Sequence, residues 1–84
     1  MKIVFADRGW EDFIYWVEHD RKLAARIVRL IDEIGRQPFE GVGKPEPLRH
    51  DMAGFWSRRI TDEHRLVYAV EKNKLLIAQA RYHY

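Results

Sequence analysis

The stretch Gly54–Tyr84 decides what this chain can fold into. It holds Phe55-Trp56-Ser57-Arg58-Arg59-Ile60, Arg65-Leu66-Val67-Tyr68-Ala69-Val70 and then Leu75 to Arg81, rich in β-branched and aromatic residues and parted by polar segments. Such runs predict strands of an antiparallel meander, with turns at 61–64 and 71–73. Arginines are spaced along them, and Tyr82-His83-Tyr84 puts an imidazole and a phenol beyond the last strand. Guanidinium groups on one face of a rigid sheet make a platform suited to a phosphate, which their planar forks grip in bidentate fashion.

The first half supplies a cover for such a sheet. Lys2 to Ala6 predicts a strand, and Asp7 a helix N-cap followed by the apolar stripe Trp10, Phe13, Ile14 and Val17. Asp20 predicts a second cap, before a helix burying Leu23, Ala24, Ile27, Leu30, Ile31 and Ile34. Gly35 is expected as its left-handed terminating residue and Pro38 as the barrier beyond. Phe39–Gly54, with Pro45 and Pro47 around Glu46, is expected to be neither helix nor strand but stiff and extended. The class expected is α+β: one domain, residues 1–84, with two N-terminal-half helices on one face of a small antiparallel sheet and a C-terminal β-meander.

Eighty-four residues are near the lower limit for an unassisted core, and no cysteine is present to add a disulfide or thiolate metal site. The 46% hydrophobic content, with three tryptophans, must therefore suffice. No apolar run reaches a membrane span and no signal peptide is evident, so a cytoplasmic protein without membrane association is expected. Residues 1–35 carry six Lys/Arg against seven Asp/Glu, and residues 36–84 nine against six. The second half is thus the better face for a polyanion.

Alternation assigns the faces of the meander. Leu76, Ala78, Ala80 and Tyr82 are the apolar set of the last strand, and Leu66, Tyr68 and Val70 that of the middle strand. Placing both sets on one face requires a loop of odd length, most simply residues 71–73. Trp56 and Ile60 then point inward, while Arg59, Arg65, Arg81 and His83 share the helix-free face.

Each candidate has two readings. His83 is a proton donor near neutral pH or a frayed end in solvent. Arg65 binds a phosphate or pairs with Glu63, and Glu46 is a fixed carboxylate or a loop acid paired with Lys44 or Arg49. His50-Asp51 and Glu63-His64 lack the spacing of a metal site, no phosphate-cradling glycine loop is present, and no cofactor is implied. A carboxylate, an arginine and a histidine are the groups that cleave RNA through its own 2′-hydroxyl.

Pro38-Phe39-Glu40-Gly41, Gly43-Lys44-Pro45-Glu46-Pro47-Leu48, Gly54-Phe55-Trp56-Ser57-Arg58-Arg59-Ile60, His64-Arg65-Leu66-Val67-Tyr68 and the ending Arg81-Tyr82-His83-Tyr84 together resemble the YoeB family of type II toxins, within the RelE-like superfamily. The resemblance spans essentially the whole chain. It implies a RelE-like fold and a ribosome-dependent endoribonuclease that cuts A-site mRNA to a 2′,3′-cyclic phosphate and a 5′-hydroxyl. It implies Glu46 as general base, Arg65 as transition-state stabiliser, His83 as general acid and Tyr84 as a positioning group. Arg59 and Glu63 match supporting positions, and Lys44, Arg49 and Arg58 match rRNA or antitoxin contacts or solvated charge. The partners implied are a YefM-like antitoxin, the 70S ribosome with its mRNA, and a second copy of the chain. A non-catalytic module that blocks translation sterically is the alternative.

Overall fold

In the computed structural model, residues 1–83 are described; Tyr84 lies outside the described residues. β-branched and aromatic runs fold into β1 (Lys2–Phe5), β3 (Trp56–Arg59), β4 (Arg65–Glu71) and β5 (Lys74–Gln79), and the proline-flanked acid opens a two-residue strand β2 (Glu46–Pro47). The helices α1 (Asp7–His19) and α2 (Arg21–Arg36) are joined through Asp20 alone, whose side chain accepts from the Leu23 amide as expected. The sheet runs β1-β5-β4-β3-β2, and both helices pack on one of its faces. Trp16, Ala24, Ile27, Leu30, Ile31 and Ile34 meet Leu66, Tyr68, Leu75 and Ile77 there. Burying this apolar set is the main force holding so small a domain together.

Several expectations are corrected. The sheet is mixed rather than wholly antiparallel, because β1 runs parallel along the outer edge of β5, Lys2 opposite Lys74 and Phe5 opposite Ile77. The α1 helix begins one residue early, with Ala6 at the cap and no side-chain cap bond, because the Ala6 amide is already spent on the Ile77 carbonyl at 2.9 Å. Gly9 lies so close to that carbonyl that a Cβ would collide with it. Gly35 is an ordinary helical residue, and α2 ends at Arg36 ahead of Pro38. The 39–54 segment is not featureless, holding β2 and a 3₁₀ turn at His50–Met52.

The register of β5 departs most from expectation. Val70 pairs with Leu75 and Glu71 with Lys74, so the loop is the two residues Lys72 and Asn73, Lys72 taking a left-handed φ of 54°. An even loop puts Leu75 and Ile77 in the core, leaving Leu76 and Ala78 only half-buried. The phase is then reset. Tyr68 pairs with Ile77 but Val67 with Gln79, so Ala78 is an extra bulged residue. Beyond it Ala80 returns to the core and Gln79 faces the other way, beside Val67. Trp16 donates its indole N–H to the Ala80 carbonyl at 2.7 Å, and Asp12 accepts from the Ala80 amide at 2.9 Å. Together they pin the strand end to α1. Tyr82, expected in the core, is instead 47% exposed.

Candidate functional site

Cross-strand pairing sets one row of side chains over the helix-free face: Glu46 opposite Ser57, Ser57 opposite Val67, Val67 opposite Gln79. The next row on that face holds Arg59 opposite Arg65. With strands about 4.8 Å apart, the row from Glu46 to Gln79 is roughly 14 Å wide, and the arginine pair lies roughly 7 Å along the strands from it. Ser57 and Val67, at 3% and 0% exposure, form a closed floor. Glu46 is exposed at one end of the row, with both arginines half-buried between it and the C-terminal tail.

Glu46 owes its place to a loop held by a buried cation. Arg58 points inward with Trp56 and Ile60 and is fully buried. It donates to the Tyr68 hydroxyl at 3.1 Å and to the carbonyls of Gln37, Glu40 and Val42 at 2.5, 2.8 and 3.1 Å. Glu33 lies 4.0 Å from the same guanidinium, and Tyr68 donates to the Pro38 carbonyl. Burial pushes the Tyr68 phenol above its ordinary value, partly offset by the bond and charge of Arg58. Further along, the Gly43 carbonyl accepts from the Arg59 amide at 2.7 Å. Gly43 sits at φ 87°, where a Cβ would lie 3.2 Å from both Arg58 Cβ and the Arg59 carbonyl. The loop is thus fastened along most of its length just before Glu46. Sequence reasoning gave Arg58 to a surface role, although the alternation that sends Trp56 and Ile60 inward sends residue 58 with them.

Arg65 is oriented by the turn preceding β4. Its Nη1 donates to the carbonyls of Thr61, Asp62 and His64 at 2.7, 3.0 and 3.2 Å. Its Nε and Nη2 make no hydrogen bond among the described residues. Glu63 is not its partner; that carboxylate lies 3.6 Å from His64 Nε2 and is largely exposed.

The tail bearing His83 is tied down at several points. Tyr82 takes a left-handed φ of 62° and reverses the chain. Its carbonyl accepts from the Arg65 amide at 3.0 Å, and its amide donates to His64 Nδ1 at 2.8 Å. Gln79 Nε2 donates to the carbonyls of Arg81 and His83 at 3.1 and 2.8 Å. The His83 ring itself is exposed. Arg81, expected on the phosphate face, instead lies over the ring of Tyr15 in α1, 3.5 Å from its centre, and 4.6 Å from that of Tyr82. The reversal at Tyr82 and the attraction of a cation for an aromatic face explain the departure. Lys44 and Arg49 are exposed on either side of Glu46, and Arg49 shares with it an open cleft of about 610 Å³ completed by Pro47, Leu48, His50 and Met52. Tyr84, the remaining candidate, lies outside the described residues. Alternation puts Gln79 on the face opposite Ala80, as found, but its bonds to the tail, like those of His64, leave no periodic trace.

Two helices backing a five-stranded mixed sheet, with an acid and two guanidinium groups on the bare face, define a RelE-like α+β toxin fold. The model of the YoeB-like toxins of bacterial type II toxin–antitoxin systems matches residues 5–84. Toxin YoeB of Streptomyces coelicolor is 60% identical over the whole of both chains. The structure of a YoeB/ParE toxin from Agrobacterium tumefaciens superposes over the whole of both chains with a TM-score of 0.97 at 48% identity. A YoeB–YefM complex from Staphylococcus aureus gives 0.92 at 41%, covering 100% of this chain and 98% of that one, and a YoeB dimer from the same organism gives 0.93 at 42% with the same coverage. The chain therefore belongs to the YoeB-like toxins of bacterial type II toxin–antitoxin systems.

Proposed function

We propose that this toxin is a ribosome-dependent endoribonuclease that cuts mRNA in the ribosomal A site. The observation carrying the proposal is the order of groups across the helix-free face: acid at one end, paired arginines between, and the imidazole-bearing tail anchored at the other. That order suits in-line displacement at phosphorus, which needs its base and its acid on opposite sides. Glu46 takes the 2′-hydroxyl proton, and the 2′-oxygen attacks the adjacent phosphorus. His83, protonated, gives its proton to the 5′-oxygen as the P–O5′ bond breaks. The products are a 2′,3′-cyclic phosphate and a 5′-hydroxyl. Charge building on the non-bridging oxygens is met by Arg65, held in place by the preceding turn and with Nε and Nη2 making no hydrogen bond among the described residues, with Arg59 beside it. Tyr84, outside the described residues, keeps the substrate-positioning role that the resemblance implies, Glu63 supports the turn that orients Arg65, and Lys44 and Arg49 draw the RNA backbone toward Glu46.

In this proposal the protein works in the cytoplasm, is restrained by a YefM-like antitoxin and forms a homodimer; the Staphylococcus aureus complex and dimer support both assemblies. Purified toxin incubated with programmed ribosomes, and separately with naked mRNA, tests the reaction. New mRNA ends within the A-site codon are expected only with ribosomes. Glu46→Ala and His83→Gln are each expected to lower the cleavage rate by about 10²–10⁴-fold, the usual worth of an acid or base. Arrested translation without new ends would mean steric blockade and would overturn the proposal.

A further inference from the structure

We infer that Gln79 is a positioning residue for His83: its carboxamide, turned to the helix-free face by the bulge at Ala78, clamps the tail so that the imidazole stands across that face from Glu46, on the far side of Arg65. The inference rests on the nuclease proposal and deepens it. Gln79 is 8% exposed, an unusual place for an amide on the face away from the core. Its Nε2 meets two acceptors, the carbonyls of Arg81 and His83. Only the NH₂ end of a carboxamide has two donors, so the amide orientation is fixed by its partners. Were β5 to run on from Ile77 without a bulge, Ala78 would stand opposite Val67 and Gln79 would face the helices. The other ties, through Tyr82 and Arg81, hold the residues before His83, whereas Gln79 bonds residue 83 itself.

The predicted consequence is a defect confined to protonation of the leaving group. Gln79→Met keeps length and removes both donors; Gln79→Glu sets a carboxylate against two carbonyls. For both, single-turnover cleavage on programmed ribosomes should slow about tenfold or more, as misplaced catalytic groups do, with the ribosome concentration for half-maximal rate unchanged. A substrate with sulfur in place of the scissile 5′-oxygen leaves without needing a proton. It should restore most of the lost rate in Gln79→Met, as in His83→Gln. Wild-type rates in Gln79→Met, or a defect that sulfur leaves untouched, would overturn the inference. A parental toxin inert on both linkages sinks the nuclease proposal instead. The clamp then remains measurable by NMR: the residue-83 amide order parameter should fall from about 0.85 toward 0.6 in Gln79→Met, and an unchanged value would refute it.

Discussion

Replacing Arg58 with methionine tests whether one buried cation holds the loop that carries Glu46. The guanidinium is fully buried and donates to three backbone carbonyls and one phenol. Hydrogen bonds from a charged donor contribute about 1.5–3 kcal/mol each, so four give a gross of roughly 6–12 kcal/mol. Much of this is offset by desolvating the cation, and the exposed loop at 37–42 recovers water when it detaches. The Tyr68 hydroxyl keeps only its bond to Pro38. A net loss of about 3–5 kcal/mol remains, in line with removal of one partner from a buried charged network. In a domain this size each kcal/mol is worth roughly 4–8 °C, so the midpoint should fall by at least about 12 °C. Urea and thermal unfolding followed by circular dichroism measure it, and amide exchange should quicken through residues 37–43. Arg58→Lys should recover little, because an ammonium cannot span four acceptors. A methionine variant within about 1 kcal/mol of the parent would show that the loop stands by its own contacts.

Gly35→Ala should stabilise by about 0.5–1 kcal/mol in urea unfolding, since the residue is helical and a Cβ there meets nothing within 4 Å. Gly43→Ala should cost about 1–3 kcal/mol, from a left-handed φ and close contact with β3. Tyr68 adds a pH dependence. Its folded pKa is raised above the ordinary 10.0, so the stability of the neutral phenol is complete below that value and is lost as pH climbs through the raised one. The stability advantage of the parent over Tyr68→Phe should therefore shrink above about pH 10. Glu46 and His83 are exposed, so Glu46→Ala and His83→Gln should keep the parental unfolding free energy within about 0.5 kcal/mol while losing cleavage.

The helices were legible because a long amphipathic stripe such as Leu23–Ile34 admits one solution, and the α+β class followed. The meander was legible from its β-branched runs, and so was the placing of Arg59 and Arg65 on the bare face. The register of β5 was not. Its apolar content is spread over both parities, so nothing local says which set goes inward, and a bulge lets Leu75 and Ile77 share the core with Ala80 in a way alternation cannot express. Arg81 failed because an aromatic ring on α1 competes for it, a partner distant in sequence. Arg58 failed differently: parity had already sent it inward, but a buried arginine is costly until its acceptors are known, and those come from a loop without periodicity.

The parallel seam between β1 and β5 joins Lys2–Phe5 to Lys74–Ile77, a separation of 72 residues (74 − 2) along the chain. Until β5 has been made, β1 lacks the strand it pairs with. Long-range pairing of this kind delays closure until β5 is available. The topology thus acts as a timer: the sheet that carries Glu46, Arg59 and Arg65 closes only once β5 has emerged.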